Sequence, residues 1–587
     1  MRVIAPFPVA DAAGRAYAHP FLGGFDVPRP QLRDIDADGD LDLFVQERAG
    51  ELMFLENTGT RAAPRFAWRT DRFAGLDVGE WSRFADLDGD GDLDLLAERP
   101  FSFIRYYRNQ GTPAAPRYLP AADTVYDAGG APVFADRQNV PGVADVDCNG
   151  LVDLMLGRVD GTVTRYELAE AGADPPRFRF VEDRWQGIEI VGEVAGAGRP
   201  SLHGANAPAF ADVDGDGDVD VLWGDFFEPG ILLIENAGTC AAPVLRTEPR
   251  PLRAREADGR EGPLLSSGYN VPVPADLDGD GDLDLLVGVL GGAFNPNRTA
   301  ADNLWLLERG ADGALVLRTR RWLDAVDVGS ESVPALGDLD GDGDPDLLVG
   351  NRVDPASLRE ARLYRFENVG APGRPAFRLA DTLSLALPEG TFHLAPALGD
   401  LDGDGRADLV AGTWNEGVWL FRGVAGGFAA AGEVVARLPR GSNATPALGD
   451  LDGDGDLDLL VGEASGTLNL FRNEGTRAAP RFVLASEAFG EIDAGRRSHP
   501  ALADLDGDGD PDLVVGREAA GALVFRNQGR GVFAPVAEGG LPLLPYAAPA
   551  LADLDGDGDP EVIAGTASGG LVYLRRSSSS SLRSGAQ

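Results

Sequence analysis

Residues Asp450–Gly462 read DLDGDGDLDLLVG, and residues Asp276–Gly288 read DLDGDGDLDLLVG again. Each copy places five aspartates at alternate positions and then continues directly into an apolar run. Because like charges this close repel one another, the segment needs a compensating cation to form a compact turn. A short run of Leu and Val is typical of a β-strand that is covered on both faces. The stretch therefore predicts an acidic, cation-binding loop that leads into a buried strand.

This motif occurs ten times, and we number its copies loop 1 to loop 10. Their first aspartates recur every 49 to 67 residues, a period that is typical of repeat architectures. Each repeat contains four short strand patterns and no helical pattern of useful length. Four short strands per repeat is the composition of a β-propeller blade. The sequence therefore predicts an all-β fold in which residues 1–576 form a β-propeller, either one closed ring of ten blades or a seven- or eight-bladed propeller with extra blades.

The two ends of the chain are predicted to complete one another. The last repeat has only three strand patterns and stops at Arg576, whereas Arg2–Val9 forms a spare strand pattern ahead of the first repeat. We expect this spare strand to pair with the last repeat, which would remove two exposed edges. The Ser-rich tail, residues 577–587, is expected to be disordered.

The loop spacing predicts calcium as the cation. Calcium takes six to eight oxygen ligands, and a loop with carboxylates at positions 1, 3 and 5, glycine at position 6 and a main-chain carbonyl at position 7 can wrap it. Position 7 is Leu151 in loop 3 and Arg406 in loop 7, so its side chain is dispensable. An EF-hand is excluded because no copy has the bidentate Glu that an EF-hand needs at position 12.

The predicted metal residues number five in each loop, and about eight to ten calcium ions are expected. Side-chain ligands are assigned to positions 1, 3, 5 and 9, and a main-chain carbonyl ligand to position 7. In order of position, they are Asp34, Asp36, Asp38, Asp40 and Asp42 in loop 1; Asp86, Asp88, Asp90, Asp92 and Asp94 in loop 2; Asp145, Asp147, Asn149, Leu151 and Asp153 in loop 3; Asp212, Asp214, Asp216, Asp218 and Asp220 in loop 4; Asp276, Asp278, Asp280, Asp282 and Asp284 in loop 5; Asp338, Asp340, Asp342, Asp344 and Asp346 in loop 6; Asp400, Asp402, Asp404, Arg406 and Asp408 in loop 7; Asp450, Asp452, Asp454, Asp456 and Asp458 in loop 8; Asp504, Asp506, Asp508, Asp510 and Asp512 in loop 9; and Asp553, Asp555, Asp557, Asp559 and Glu561 in loop 10.

Units such as Pro500–Gly516, PALADLDGDGDPDLVVG, resemble FG-GAP/VCBS repeats, the calcium-loop blades also found in integrin α-subunit propellers and some fungal lectins. The resemblance covers about residues 30–576. It implies that the calcium loops join the first and second strands on one face of a propeller, while partners usually bind the other face. Asn149, with one charge fewer, and Glu561, with a longer arm, depart from the pattern.

A ligand face is expected opposite the calcium loops, where the residues just before each first strand lie. Polar and aromatic groups there can hydrogen-bond to sugars, stack on them or grip a peptide. The candidate residues are Gln138, Asn139, Tyr269, Asn270, His393, Trp414, Asn443, Arg497 and Tyr546.

Charge and composition narrow the partners. The net charge is −42, and 47 of the 94 acidic residues lie in the ten loops. No basic stripe offsets this charge, so nucleic acid is excluded as a partner. No run of about 18 apolar residues is present, so no membrane insertion is expected. Cys148 and Cys240 lie in different repeats and are expected to be free thiols.

Binding is predicted in preference to catalysis. The four histidines precede different loops, so we expect them on separate blades, and no nucleophile elbow, zinc motif or phosphate loop is present. The first hypothesis is a calcium-stabilised adhesion module that recognises glycan or protein. A calcium-dependent carbohydrate-active enzyme resembling a polysaccharide lyase, and a structural surface protein without a specific ligand, are the alternatives. Loops without the position-12 Glu are of modest affinity, which predicts a secreted or cell-surface location although residues 1–14 lack the apolar core of a signal peptide.

Overall fold

The computed structural model describes residues 1–575 except 48–49, 191, 194–199, 202–204, 227, 291–300, 302, 416, 477–478 and 537–540. The predicted disordered tail, residues 577–587, lies outside the described residues. The described chain is almost entirely β, with three short 3-10 turns at Phe73–Gly75, Trp185–Gly187 and Phe489–Glu491. Among the described residues, no helix has the length and apolarity needed to cross a membrane.

Ten sheets, one for each loop, confirm the all-β prediction and the four-stranded repeat. The strands up to the fifth sheet are β1 (Arg2–Val3), β2 (Val9–Ala10), β3 (Arg29–Arg33), β4 (Asp42–Gln46), β5 (Met53–Asn57), β6 (Phe66–Thr70), β7 (Ser82–Ala85), β8 (Asp94–Arg99), β9 (Phe103–Asn109), β10 (Tyr118–Ala122), β11 (Tyr126–Asp127), β12 (Gly142–Ala144), β13 (Asp153–Gly157), β14 (Val163–Leu168), β15 (Arg177–Glu182), β16 (Gly192–Glu193), β17 (Pro200–Ser201), β18 (Asn206–Ala211), β19 (Asp220–Asp225), β20 (Leu232–Ile234), β21 (Arg250–Pro251), β22 (Arg253–Arg255), β23 (Glu261–Pro263), β24 (Val271–Ala275), β25 (Asp284–Gly288), β26 (Leu304–Arg309) and β27 (Leu315–Thr319).

The remaining strands are β28 (Val333–Gly337), β29 (Asp346–Gly350), β30 (Leu363–Asn368), β31 (Phe377–Leu383), β32 (Ala395–Gly399), β33 (Asp408–Gly412), β34 (Val418–Phe421), β35 (Gly423–Val424), β36 (Gly427–Phe428), β37 (Glu433–Ala436), β38 (Thr445–Gly449), β39 (Asp458–Gly462), β40 (Leu468–Asn473), β41 (Phe482–Ser486), β42 (His499–Ala503), β43 (Asp512–Gly516), β44 (Leu523–Asn527), β45 (Phe533–Pro535), β46 (Ala548–Ala552), β47 (Glu561–Gly565) and β48 (Leu571–Leu574).

Each sheet is an antiparallel meander, and its aspartate loop joins the first strand to the second. We number the sheets after their loops. Sheets 1, 2, 4, 8 and 9 are the plain four-stranded orders β3-β4-β5-β6, β7-β8-β9-β10, β18-β19-β20-β21, β38-β39-β40-β41 and β42-β43-β44-β45. Sheet 7 follows the order β32-β33-β34-β37, with the hairpin β35-β36 beside it. Sheets 3, 5 and 6 carry extra outer strands: β11 on sheet 3, β22 and β23 on sheet 5, and β2 on sheet 6.

The predicted pairing of the chain ends is confirmed. Sheet 10 has the order β1-β48-β47-β46, so the N-terminal strand supplies its fourth strand. In the antiparallel register, Arg2 lies opposite Leu574 and Val3 opposite Tyr573.

The chain divides into two compact units. Unit 2 holds sheets 1 to 5 and lies within residues 25–322, whereas unit 1 holds sheets 6 to 10 and combines residues 1–24 with the chain from Leu323 onward. One closed ring of ten blades is therefore not confirmed. What the structure supports is a set of four-stranded sheets of the kind that build β-propeller blades.

Second strands form the buried middle of each sheet, as their continuous apolar patterns predict. Every residue of β29, β33, β39, β43 and β47 is buried. Neighbouring sheets pack face to face through these strands: one cluster joins Val410 and Leu420 of sheet 7 to Leu459 and Val461 of sheet 8. Fully burying such a side chain stabilises the fold by about 1.5–3 kcal/mol.

The glycine that ends a second strand allows the next sheet to approach. A methyl group on Gly412 would lie 2.0 Å from the carbonyl oxygen of Ala444, just before the first strand of sheet 8. No side chain fits at that distance, so the glycine is required by the close contact of two main chains. In unit 1 the same relationship recurs at Gly350 with Leu394, Gly462 with Ser498, Gly516 with Ala547 and Gly565 with Ser332. The last of these pairs brings sheet 10 beside sheet 6.

Candidate metal loops and their surroundings

Loop 8 shows how the loop backbone is held. The carboxylate of Asp450 accepts hydrogen bonds from the main-chain N–H groups of Gly453 (2.7 Å) and Gly455 (2.9 Å). Both glycines have positive φ, +80° and +89°, a conformation that glycine adopts without a steric penalty. Position 1 therefore folds the turn around its own carboxylate.

Position 9 fastens the loop to the sheet. Asp458 Oδ2 accepts from the N–H of Leu451 (3.3 Å), and its Oδ1 accepts from the N–H of Asn473 on the third strand (2.9 Å). In loop 10, Glu561 Oε2 makes the equivalent bond to Leu554 N–H at 2.9 Å. The longer side chain thus keeps the same role despite its departure from the pattern.

The carboxylates at positions 1, 3 and 5 converge. In loops 1, 2, 4 and 5, one oxygen from each of these three aspartates lies within 4.8 Å of the others. Several buried carboxylate oxygens in the loops make no hydrogen bond among the described residues, including Oδ1 of Asp34, Asp276 and Asp506. Buried, converging and unpartnered carboxylate oxygens are the donor set that a hard divalent cation requires.

Burial also opposes the charge of these carboxylates. It raises the pKa of Asp42 and of Asp94, both at position 9, to about 7. Burial and then the neighbouring Asp90 raise the pKa of Asp92 to about 6. Carboxylates that resist ionisation without a counter-charge are stabilised by a bound cation. The residues present therefore fit calcium.

Position 7 contributes more than the sequence suggested. The Oδ1 atoms of Asp40, Asp92, Asp218 and Asp282 are buried and make no hydrogen bond among the described residues. Their side chains therefore belong to the acidic cluster as well as their main chains. In loop 7 the corresponding Arg406 instead forms an ion pair with Asp404.

Loop 3 differs from the others because it contains its own cation. The Arg165 guanidinium, on β14, lies 2.6 Å from Asp147 Oδ2, 2.8 Å from Asp153 Oδ1 and 3.2 Å from Glu167 Oε1, and its side chain is only 8% exposed. Asn149 donates its amide to Glu167 Oε1 at 2.8 Å. Two of the predicted ligand residues, Asp147 and Asp153, are thus already paired with an arginine, although both still converge with Asp145. The sequence signal for this was an Arg at an inward-facing position of the third strand.

Arginines on third strands also contact other loops, but they are more exposed than Arg165, at 24% for Arg472 and 13% for Arg526. Arg472 forms ion pairs with Asp458 and Asp452 of loop 8, and Arg526 does so with Asp512 and Asp506 of loop 9. These pairs were not predicted from the sequence. They screen part of the loop charge at positions 3 and 9.

The prediction of free thiols is wrong, because Cys148 and Cys240 form a disulfide with Cα atoms 5.6 Å apart. Cys148 is position 4 of loop 3, and Cys240 lies in the connection after the third strand of sheet 4. Equivalent connections reach the neighbouring loop elsewhere: Arg61 of sheet 1 donates to Asp276 of loop 5 at 2.6 Å. The repeat spacing hid this pairing because 92 residues separate the two cysteines.

The predicted ligand face is divided between the two units. In unit 2, Asn139 and Asn270 are buried and donate to the carbonyl oxygens of Gly157 (2.7 Å) and Gly230 (3.0 Å), while Tyr269 donates to the carbonyl of Gln138 at 2.8 Å. Bonds of this kind hold sheets together. The remaining candidates belong to unit 1, and they are His393, Trp414, Asn443, Arg497 and Tyr546.

His393 and His499 belong to different sheets, as expected, but they lie close together. His393 and Glu331, also from different sheets, approach to 3.4 Å. Burial, followed by His393, lowers the pKa of His499 to about 3. Two of the four histidines therefore share one environment, while His203 lies outside the described residues.

A cleft of about 860 Å³ lies within unit 2 between sheets 4 and 5. Residues of loops 4 and 5 line it together with Arg250, Arg255 and Arg309. Arg309 donates to the carbonyl of Val213 in loop 4 at 2.8 Å. This cleft carries both charges and is lined by the extra strand β22.

Ten sheets of four to six strands, each with an acidic loop between its first and second strands, are typical of β-propeller blades. Five segments match the FG-GAP-like repeat: residues 34–97, 276–349, 400–461, 450–515 and 504–564. Together they cover just over half of the chain, and the chain belongs to this family. The resemblance read from the sequence is thereby confirmed. No curated protein matches the chain.

Proposed function

We propose that this protein is a calcium-stabilised binding or adhesion module that acts outside the cell or on its surface and recognises a glycan or a protein. The observation that carries the proposal is the convergence of three carboxylates in one loop after another, with buried oxygens that lack a protein partner. Calcium supplies the positive charge that these oxygens need. The FG-GAP-like repeats support the same role.

Nine loops are proposed to hold calcium. In each, the side chains of positions 1, 3, 5 and 9 would bind the ion, and position 7 would add its carbonyl. Loop 3 is the exception, because Arg165 already neutralises Asp147 and Asp153. A guanidinium and a calcium ion cannot both occupy the centre of one carboxylate cluster.

Each unit is proposed to be a five-bladed propeller. In unit 1 the glycine contact between consecutive sheets recurs from sheet 10 to sheet 6, at Gly565 and Ser332. In unit 2 the same contact recurs from sheet 5 to sheet 1, where a methyl group on Gly288 would lie 2.0 Å from the carbonyl of Pro28. Closure after five sheets gives every sheet a neighbour on both faces, so no apolar sheet face is left exposed.

The disulfide supports a location outside the cytoplasm. Disulfides persist in oxidising compartments and are rare where thiols are kept reduced. Extracellular calcium is also high enough to fill loops of modest affinity. Both arguments favour a secreted or surface protein.

Binding is proposed in preference to catalysis, with a glycan or a protein as partner. A net charge of −42 repels nucleic acid, and no insertion into a membrane is proposed. The aspartates that could act as glycosidase carboxylates repeat in every loop, which favours a shared structural role over one active site.

The test is a binding screen with and without calcium. Calcium-loaded protein is applied to a glycan array and to immobilised extracellular proteins, and the screen is repeated in EDTA. We expect binding that requires calcium, and no product when the same protein is incubated with a panel of polysaccharides. Release of unsaturated oligosaccharides would instead establish the lyase-like alternative.

A further inference from the structure

Five side chains of unit 1 occupy equivalent places, seven residues before the first aspartate of each loop. They are Glu331, His393, Asn443, Arg497 and Tyr546, and all have positive φ between 48° and 59°. The main-chain N–H of each donates to a carbonyl beyond the second strand of the neighbouring sheet, such as Glu331 to Ala567 (2.8 Å). In this conformation the Cβ atom of a non-glycine residue crowds the main chain, which destabilises the fold. Glycine would fit better, so the side chains are retained for another reason.

Charged groups of sheets 6 and 9 meet at Glu331. Its Oε1 accepts from Arg497 at 2.7 Å and from Arg352 at 3.1 Å. The Arg352 guanidinium stacks over the Trp414 ring at 5.3 Å, and that of Arg497 stacks over Tyr546 at 5.3 Å. Two cations fixed on one carboxylate leave a local charge of about +1 in a strongly acidic protein.

The same place holds buried polar atoms that make no hydrogen bond among the described residues. They are Nε2 of His393, Nδ1 of His499 and Oδ1 of Asn443. Oε2 of Glu331 and Nδ1 of His393 make no hydrogen bond either, but they face each other at 3.4 Å. His393 is 2% exposed and Asn443 is 6% exposed. A buried polar atom without a hydrogen bond destabilises the fold. Several such atoms lie close together, which indicates that a bound ligand supplies their hydrogen-bond partners.

Unit 2 lacks these groups at the equivalent positions. There the residues are Val27, Gly79, Gln138, Ala205 and Tyr269. Ala205 and Tyr269 belong to an apolar core, against which Val27 packs, and the Tyr269 hydroxyl is satisfied by the carbonyl of Gln138. The polar arrangement is therefore a property of unit 1 and not of the repeat.

The unmet atoms determine the chemistry of the ligand. A carboxylate oxygen, an amide oxygen and the acceptor nitrogen of neutral His499 all require donors, so an anion without hydroxyl groups does not fit. The two guanidinium groups, 38% and 27% exposed on Arg352 and Arg497, offer N–H donors and disfavour a cationic ligand. Neighbouring hydroxyl groups both donate and accept. A pyranose ring satisfies all of these conditions, and Trp414 offers an aromatic surface beside it.

We infer that Glu331, Arg352, His393, Asn443, Arg497 and His499 form a binding site in unit 1 for an uncharged monosaccharide unit of a glycan. The inference rests on the proposed function and narrows its ligand. Glu331 Oε2 and Asn443 Oδ1 accept hydrogen bonds from sugar hydroxyls, while the two arginines donate to them. Both arginines are held in place by Glu331 and by their aromatic neighbours.

The test measures binding of methyl glycosides to the calcium-loaded full chain by saturation-transfer NMR and calorimetry. The panel contains methyl hexosides, methyl N-acetylhexosaminides and methyl hexuronides. His393→Gly and Asn443→Gly remove the side chains while keeping a residue that tolerates positive φ. Each is expected to weaken binding of the uncharged glycosides about tenfold, the effect of losing one buried hydrogen bond. Gln138→Ala, at the equivalent position of unit 2, is the control and should bind as the unmodified protein does.

Three results would overturn the site. If no glycoside binds the calcium-loaded chain, the inference of a sugar site is wrong. Calcium-dependent binding to the protein panel would in that case still support the proposed function. Both glycine variants could bind the glycosides as tightly as the unmodified protein does, while Arg255→Ala loses that binding. This result would place the sugar site in the cleft of unit 2. In the third result, no glycoside binds, and zinc binds the unmodified chain but not His393→Gly. The imidazoles would then be metal ligands and not part of a sugar site.

Discussion

Arg165 Nη2 lies 2.6 Å from Asp147 Oδ2, inside the one loop whose fifth position is Asn149 instead of aspartate. Position 7 is Leu151, so loop 3 has two carboxylates fewer than loop 8, and it contains a buried arginine. Burying a cation among carboxylates is tolerable because each charge has a partner. The same loop is fixed by the Cys148–Cys240 disulfide. Loop 3 therefore has covalent and ionic substitutes for a metal.

Elemental analysis is expected to find nine calcium ions per chain. The double variant Arg165→Leu with Asn149→Asp removes the internal cation and restores the fifth aspartate, so it should bind a tenth ion. Arg165→Leu alone leaves buried carboxylates unpaired and should lower the free energy of unfolding by about 3–5 kcal/mol. Ten ions in the unmodified chain would contradict this assignment. Arg406→Asp in loop 7 serves as a control that adds an acid without changing the count.

Calcium removal is expected to lower the melting temperature sharply. A ligand that binds only the folded state raises the free energy of unfolding by about 2.7 kcal/mol per site at 100 times its dissociation constant. Nine such sites would each add a contribution of this size. Differential scanning calorimetry with excess calcium or with EDTA measures the effect. Magnesium at the same concentration should restore little, because it demands a smaller octahedral site. Identical transitions in calcium and EDTA would refute a structural role for the ion.

Stability without calcium should fall as pH rises. Burial raises the pKa of Asp42 and Asp94 to about 7 and that of Asp346 to about 6. Between about pH 4 and pH 7 the folded chain then binds more protons than the unfolded chain, so the free energy of unfolding decreases with increasing pH. Melting curves in EDTA from pH 5 to pH 8 test this. In saturating calcium the trend should reverse, because protons displace the ion; parallel trends would be inconsistent with metal sites.

Reduction of the disulfide is expected to destabilise unit 2 alone. A crosslink across 92 residues contributes about 2–5 kcal/mol, mainly by restricting the unfolded chain. The double variant Cys148→Ser with Cys240→Ser should therefore unfold earlier within residues 25–322. Hydrogen exchange followed by mass spectrometry locates the change. Faster exchange in β39 or β43 of unit 1 would argue against it.

Contact between sheets 6 and 10 depends on a glycine. Gly565→Ala places a methyl group against the carbonyl of Ser332, which would lie 1.8 Å away, so the sheets must move apart. We expect a loss of about 1–3 kcal/mol, as for other overpacked cores. Gly262→Ala is the matched control because nothing lies within 4 Å of its added methyl group. Equal melting temperatures for the two variants would mean that the two sheets do not need to meet.

The sequence predicted what repeats and missed what occurs once. Alternating aspartates, apolar second strands and the final glycine recur in nearly every copy, so comparison of the copies predicted the sheet and the acidic loop. The pairing of Cys148 with Cys240 and of Arg165 with Asp147 depends on which sheets are neighbours in space. Neighbour contacts are long-range, and no local pattern encodes them. The division into two units of five sheets each was not predicted either, because no Gly/Ser/Pro-rich segment marks the boundary between them.

The site residues show the same limit. The ligand-face position seven residues before each loop could be identified from the sequence. His393, Asn443, Arg497 and Tyr546 occupy it. That Glu331 brings two arginines together could not be read from spacing, since Arg352 and Arg497 lie 145 residues apart in the chain. Asn139 and Asn270 look equally polar in the sequence, yet their amides are used up on main-chain carbonyls.

The pairing of β1 with β48 also fixes an order of events during synthesis. Residues 25–322, which contain the whole of unit 2, leave the ribosome before β48 exists, so sheets 1 to 5 can assemble while the first strand still waits for its partner. Unit 1 becomes complete only when the last strand arrives, because the earliest and latest residues of the chain lie in one sheet. In a chain that stalls before Leu571, β48 is missing and β1 has no strand to pair with, so sheet 10 has two strands instead of four. Its unpaired strands would make the incomplete chain a target for proteolysis.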